Sequence, residues 1–108
     1  MTIQEILDFI KSFKVFSDDN PDKRSDISKL AQTTKLSEEV GELSAEVLAS
    51  LNMQRKRSVQ KFSRSGLEEE VADVLITILV LADMFEIDVD SALTKKFEKI
   101  KRRMVVEN

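Results

Sequence analysis

Residues 74–82 read VLITILVLA, and this run constrains the fold more than any other stretch of the chain. At nine residues it is about half of the roughly 20 that a membrane span needs, so it reads as a buried helix core. The helix that contains it, expected over about residues 66–86, is apolar around its whole circumference in this half. A helix apolar on all sides must be covered on all sides. Four short helices from a chain of 108 residues can hardly do that alone. The expectation is an all-α chain, a single domain over residues 1–108, whose four-helix bundle is completed by dimerisation. Composition agrees: Pro occurs once, Gly twice, and Trp and Tyr never, which favours helices over strands with their turns.

The other helices follow from spacing. Thr2 and Glu5 match a capping box, and Ile3, Ile6, Leu7, Ile10 and Phe13 recur at helical intervals, predicting a first helix over about 3–16. Residues 17–26, with the one Pro, read as a polar loop. A second helix runs through Ile27, Leu30, Ala31 and Thr34 to Val40, Leu43, Val47, Leu48 and Leu51. Residues 52–66 are basic and weakly periodic, a loop or a loop with a short helix near Val59 to Phe62. Ser65 and Glu68 form a second capping box before the third helix. Asp88 or Asp90 caps a fourth that carries Ala92, Leu93, Phe97, Ile100 and Met104. Met53, Met84 and Met104 stand at apolar positions and read as core.

Several chemistries are excluded. With no cysteine there is no disulfide, thiolate nucleophile or zinc–thiolate site, and with no histidine there is no serine–histidine triad. The start MTIQEILDFIKSF lacks the basic beginning and long apolar run of a signal peptide, which together with the missing cysteines suggests a cytoplasmic protein. Charge is unevenly distributed. Residues 67–90 carry eight acids and no Lys or Arg, while residues 53–66 hold five basic residues and no acid, and residues 91–108 six basic against two acidic. An acidic helix pair between basic segments suits a metal ion and a polyphosphate. The net charge of −3 argues against nucleic acid as a partner.

The acids are placed for that task. KLSEEVGELSAEV at 35–47 crowds Glu38, Glu39 and Glu42 within about one turn around Gly41, although like charges at such spacing repel. Glu70 and Asp73 follow on the third helix. Side chains three or four apart share a face, so Glu39 with Glu42, and Glu70 with Asp73, each form a two-carboxylate grip. Oxygen-only ligation selects a hard cation, Mg²⁺ or Mn²⁺, which takes substrate phosphates as further ligands. Gly41 would let a neighbouring helix or ligand approach the backbone.

EEVGEL at 38–43 and EEVADVL at 69–75 resemble the MazG-type all-α nucleoside triphosphate pyrophosphohydrolases, whose signature is E-E-x-x-E, 12 to 28 residues, then E-x-x-D. The tail SALTKKFEKIKRR resembles that family's closing helix, although Ile100 stands where many members have Asn. The resemblance implies a four-helix MazG-like bundle, with Glu39, Glu42, Glu70 and Asp73 as metal ligands. Glu38 would support them or bind a second metal, and Glu38 or Glu39 would be the base that activates water. Lys96, Lys99 and Arg103 match positions that face the triphosphate. The implied reaction is Mg²⁺-dependent cleavage of a nucleoside triphosphate, a dNTP above all, to monophosphate and pyrophosphate, a nucleotide-pool house-cleaning role for a homodimer or homotetramer. The alternatives are a phosphoribosyl-ATP pyrophosphohydrolase-like enzyme and a non-enzymatic helical interaction module.

Overall fold

The computed structural model describes residues 1–12, 24–53 and 61–107. The helices run α1 (Ile3–Ser12), α2 (Asp26–Ser50), α3 (Arg64–Met84) and α4 (Val89–Glu107), and among the described residues no strand forms. Residues 13–16 of the expected first helix, most of the Pro-containing loop, and Arg55, Lys56, Arg57 and Val59 lie outside the described residues.

Helix starts are fixed by hydroxyls and one carboxylate. Thr2 Oγ1 accepts from the Glu5 N–H at 3.1 Å, Ser25 Oγ accepts from the Ser28 N–H at 3.2 Å, and Asp88 Oδ1 accepts from the Ser91 N–H at 3.0 Å. α3 corrects the sequence reading. Its cap is Ser63, not Ser65: Ser63 Oγ accepts from the Gly66 N–H at 3.0 Å, so Arg64 and Ser65 join the first turn and Glu68 pairs with Arg64 instead, at 3.6 Å. Helix ends turn through left-handed residues, Asn52 at φ 54° and Glu86 at φ 55°. There the N–H of the next residue reaches back to Leu48 and Ala82 carbonyls, both at 2.9 Å.

α3 is the centre of the chain: α2 packs along one side of it and α1 against its second half. Leu7 and Ile10 of α1 meet Leu79 and Val80 of α3, with Ile6 and Val89 beside them, to form the apolar cluster. The α2–α3 contact is of a different kind. The residues α2 buries are Ser28, Gln32 and Glu46, while Ile27 and Leu30 are about 70 % exposed (71 % and 69 %). Ile27 and Leu30 therefore mark an outer face of α2, while Gln32, Glu39 and Glu46 alternate with half-buried Leu36 and Leu43 on the side that meets α3. Buried Gln32 donates through Nε2 to the Thr77 carbonyl at 3.1 Å, and Thr77 Oγ1 donates to the Asp73 carbonyl at 2.6 Å.

Much of the apolar surface stays open. Leu75, Ile76 and Ile78 on α3 are exposed, residues 92–105 of α4 are exposed throughout, and α4 packs along neither α2 nor α3. Met84 is core as expected, whereas Met53 and Met104 are exposed, because α2 ends and α4 projects where no other helix among the described residues covers them. Gly41 is likewise not a close approach within the chain, since a Cβ there would meet nothing within 4 Å. The radius of gyration is 17.1 Å, against roughly 13 Å for a compact chain of this length. Among the described residues no helix is long and apolar enough to cross a membrane.

The Gln32 bond carries a measurable share of the α2–α3 contact. Replacing Gln32 with Met keeps the length and removes the donor, and the Thr77 carbonyl keeps its place in the α3 ladder. Urea unfolding should therefore show a loss of about 1 kcal/mol rather than the larger cost of an orphaned group.

Candidate functional site

The seam between α2 and α3 gathers the acids. Glu39 projects from the middle of α2 and Glu70 and Asp73 from the first half of α3, and one carboxylate oxygen from each lies within 4.8 Å of the others. Glu42, one turn beyond Glu39, brings its carboxyl against that of Glu70. Three of the four sequence-proposed ligands thus converge, and the fourth, Glu42, stands beside Glu70. The antiparallel pairing of α2 with α3 produces this, because the i,i+3 spacing within each helix turns both grips toward the same seam.

Electrostatics make the cluster costly on its own. Glu39 Oε1 has an ion pair with Lys35 at 3.5 Å, but that lysine is largely exposed and offsets little. Glu39 Oε2 and Glu70 Oε2 are buried and have no hydrogen-bond partner. Burial, then the charges of Glu42, Asp73 and Glu39, and last a hydrogen bond with Glu42, push the Glu70 carboxyl above its ordinary value. Buried oxygens without donors, converging from three or four carboxylates with no nitrogen or sulfur ligand, fit a hard divalent cation, which replaces mutual repulsion by attraction to both grips.

The remaining candidates are placed differently. Glu38 is exposed and is not part of the group formed by Glu39, Glu70 and Asp73. Lys96, Lys99 and Arg103 are exposed on α4, and among the described residues that helix packs along neither α2 nor α3. Phe62 is 42 % exposed beside the start of α3. Sequence reasoning passed over Glu46, which the structure buries in the same seam with Oε2 unpartnered. Its i,i+4 relation to Glu42 was the available signal.

Comparison with known proteins agrees with this geometry. The family model described as the MazG nucleotide pyrophosphohydrolase domain matches residues 27–105, a range that contains all four clustered carboxylates. The chain is similar to "Uncharacterized protein YpjD" of Bacillus subtilis (strain 168), with 31 % identity over 81 residues, 75 % of this chain and 71 % of that protein. No solved structure matches the chain.

The raised Glu70 titration has a defined sign. Between the ordinary value of 4.5 and the higher native one, the folded state holds more protons than the unfolded state, so stability falls as pH rises through that window. Without divalent cations, Glu70→Gln should raise the unfolding temperature at neutral pH and flatten its fall between mildly acidic and neutral pH. Thermal melts in chelator across that range check this.

Proposed function

The chain belongs to the MazG nucleotide pyrophosphohydrolase family, and on that premise we propose that it hydrolyses nucleoside triphosphates, dNTPs among them, to the monophosphate and pyrophosphate with Mg²⁺ or Mn²⁺. The observation that carries the proposal is the convergence of Glu39, Glu70 and Asp73 within 4.8 Å, with Glu42 against Glu70 and two buried oxygens left for a cation. A housekeeping role on the cytoplasmic nucleotide pool, performed by residues 1–108 as one domain, belongs to the same proposal.

Glu39, Glu42, Glu70 and Asp73 would hold the cation, each through a carboxylate oxygen. When bound it would polarise phosphate oxygens and acidify water. Glu38, exposed beside the cradle, or Glu39 takes the proton as the water oxygen bonds to the α phosphorus and the bond to the bridging oxygen of the β phosphate breaks. Lys96, Lys99 and Arg103 offset the charge that develops on the departing pyrophosphate. On α4 they recur at i, i+3 and i+7, one face of the helix.

Because no helix among the described residues seats α4, the proposal includes a homodimer, with a pairing of two dimers as the larger form. Leu93, Phe97, Ile100 and Met104 form an apolar stripe on α4, each at least 40 % exposed, and Leu75 and Ile78 are open on α3. These faces exceed what a soluble monomer ordinarily leaves uncovered, and a second copy would cover them and bring a basic helix toward the acids.

Pyrophosphate release from common and damaged (d)NTPs should require Mg²⁺ or Mn²⁺ and cease with chelator. Asp73→Ala or Glu42→Ala should lower kcat/KM by more than about 100-fold, beyond what loss of an outer partner usually costs. Release of orthophosphate and diphosphate would refute the assigned bond, and turnover of phosphoribosyl-ATP without any dNTP would move the substrate class. Light scattering after gel filtration should give a dimer or tetramer, and Leu75→Lys with Phe97→Lys should reduce it to a poorly folded monomer.

A further inference from the structure

One buried acid in the seam is left without a task. Glu46 is 5 % exposed and its Oε2 has no partner. It lies one turn beyond Glu42 on α2, and its Oε1 occupies space that any side chain at Gly66 would need: a Cβ there would fall 2.5 Å from it. Gly66 is in the first turn of α3, one turn ahead of Glu70, with its N–H already engaged by Ser63 Oγ. α2 and α3 therefore meet in successive rungs, Glu39 with Asp73, Glu42 with Glu70, and Glu46 with Gly66.

The first two rungs set like charges face to face and push the helices apart. The third sets a carboxylate against the start of a helix, where the aligned peptide dipoles favour negative charge. Gln32, bonded to the Thr77 carbonyl, ties the seam on the far side of the cluster. We infer that Glu46 is a positioning residue for the cation cradle: seated in the notch left by Gly66, it holds the amino end of α3 on α2 at the register that sets Glu70 and Asp73 against Glu42 and Glu39. The inference rests on the proposed cation site and deepens it. Gly66 is the matching half of the device, since it alone admits the carboxylate.

Mn²⁺ titration of the full chain by calorimetry tests this without relying on turnover. Glu46→Ala and Gly66→Ala should each weaken Mn²⁺ binding roughly 10-fold, as outer partners of metal ligands do. Gly66→Ala removes no charge, but its Cβ would also fall 2.6 Å from the capping Ser63 Oγ, so Ser63→Ala, which loses the cap and leaves the Glu46 seat, is run beside it and should bind Mn²⁺ like the parent. The double variant of Glu46 and Gly66 should lose little more than either single one, because both break one contact. Helical circular dichroism should match the parent. If Glu46→Ala does not fold, Glu46→Gln, which preserves the packing, takes its place in the cycle with the same expectation. Unchanged Mn²⁺ affinity in either the Glu46 or the Gly66 variant, even with a lowered unfolding temperature, would overturn the inference, as would losses that multiply to about 100-fold. Asp73→Asn separates the two layers: a parent that binds no Mn²⁺, or an Asp73→Asn variant that binds like the parent, would overturn the cation site itself.

Discussion

The arrangement depends on a polar seam between two long antiparallel helices. α2 turns Gln32, Glu39 and Glu46 toward α3, with Leu36 and Leu43 half-buried among them, and sends Ile27 and Leu30 outward. A helix pair in water ordinarily does the reverse, since burial of apolar surface drives association. Here the Leu7, Ile10, Leu79 and Val80 cluster joins α1 to α3, while the α2–α3 seam sets half-buried Leu36 and Leu43 beside facing acids that oppose the pairing. Such a seam persists where neutral polar contacts hold the register and a ligand of opposite charge relieves the repulsion. Gln32 to Thr77 supplies the first condition, and the convergent carboxylates of Glu39, Glu70 and Asp73 suit the second.

The same choice shapes the outside of the chain. With much of the inner face given to polar groups, Ile27, Leu30, Val40, Val47 and Leu48 of α2, the open side of α3 and the stripe of α4 stay exposed among the described residues. The site and the proposed assembly are thus two results of one decision about which face of α2 is buried. The basic face of α4 belongs to the second: within one chain it stands apart from the acids that a polyphosphate would bridge to it.

Much of this was legible in the sequence. Helical spacing and the rarity of Gly and Pro placed four helices within a few residues of their observed bounds. The i,i+3 acids placed Glu39, Glu42, Glu70 and Asp73 on common faces, and the motif resemblance to the MazG family agrees with the match over residues 27–105. The exposure of Ile27 and Leu30 was not legible, because apolar periodicity identifies a face without saying whether the same chain covers it. Met53 and Met104 misled for that reason. Ser63 displaced Ser65 as the cap because two serines offer the same hydroxyl, and only the Gly66 N–H chooses between them. Glu46 was hidden by its company: a glutamate on a helix rich in glutamate reads as solvated until its neighbour across the seam is known.

The central claim is that Glu39, Glu42, Glu70 and Asp73 together bind one divalent cation. Anomalous diffraction from crystals grown with Mn²⁺ tests it most directly. The account predicts an anomalous peak in the α2–α3 seam within about 2.3 Å of oxygens from those four residues, a distance typical of hard-cation ligation. Carboxylates that remain together around no peak, or an ion held elsewhere on the chain while this seam contains only water, would contradict it.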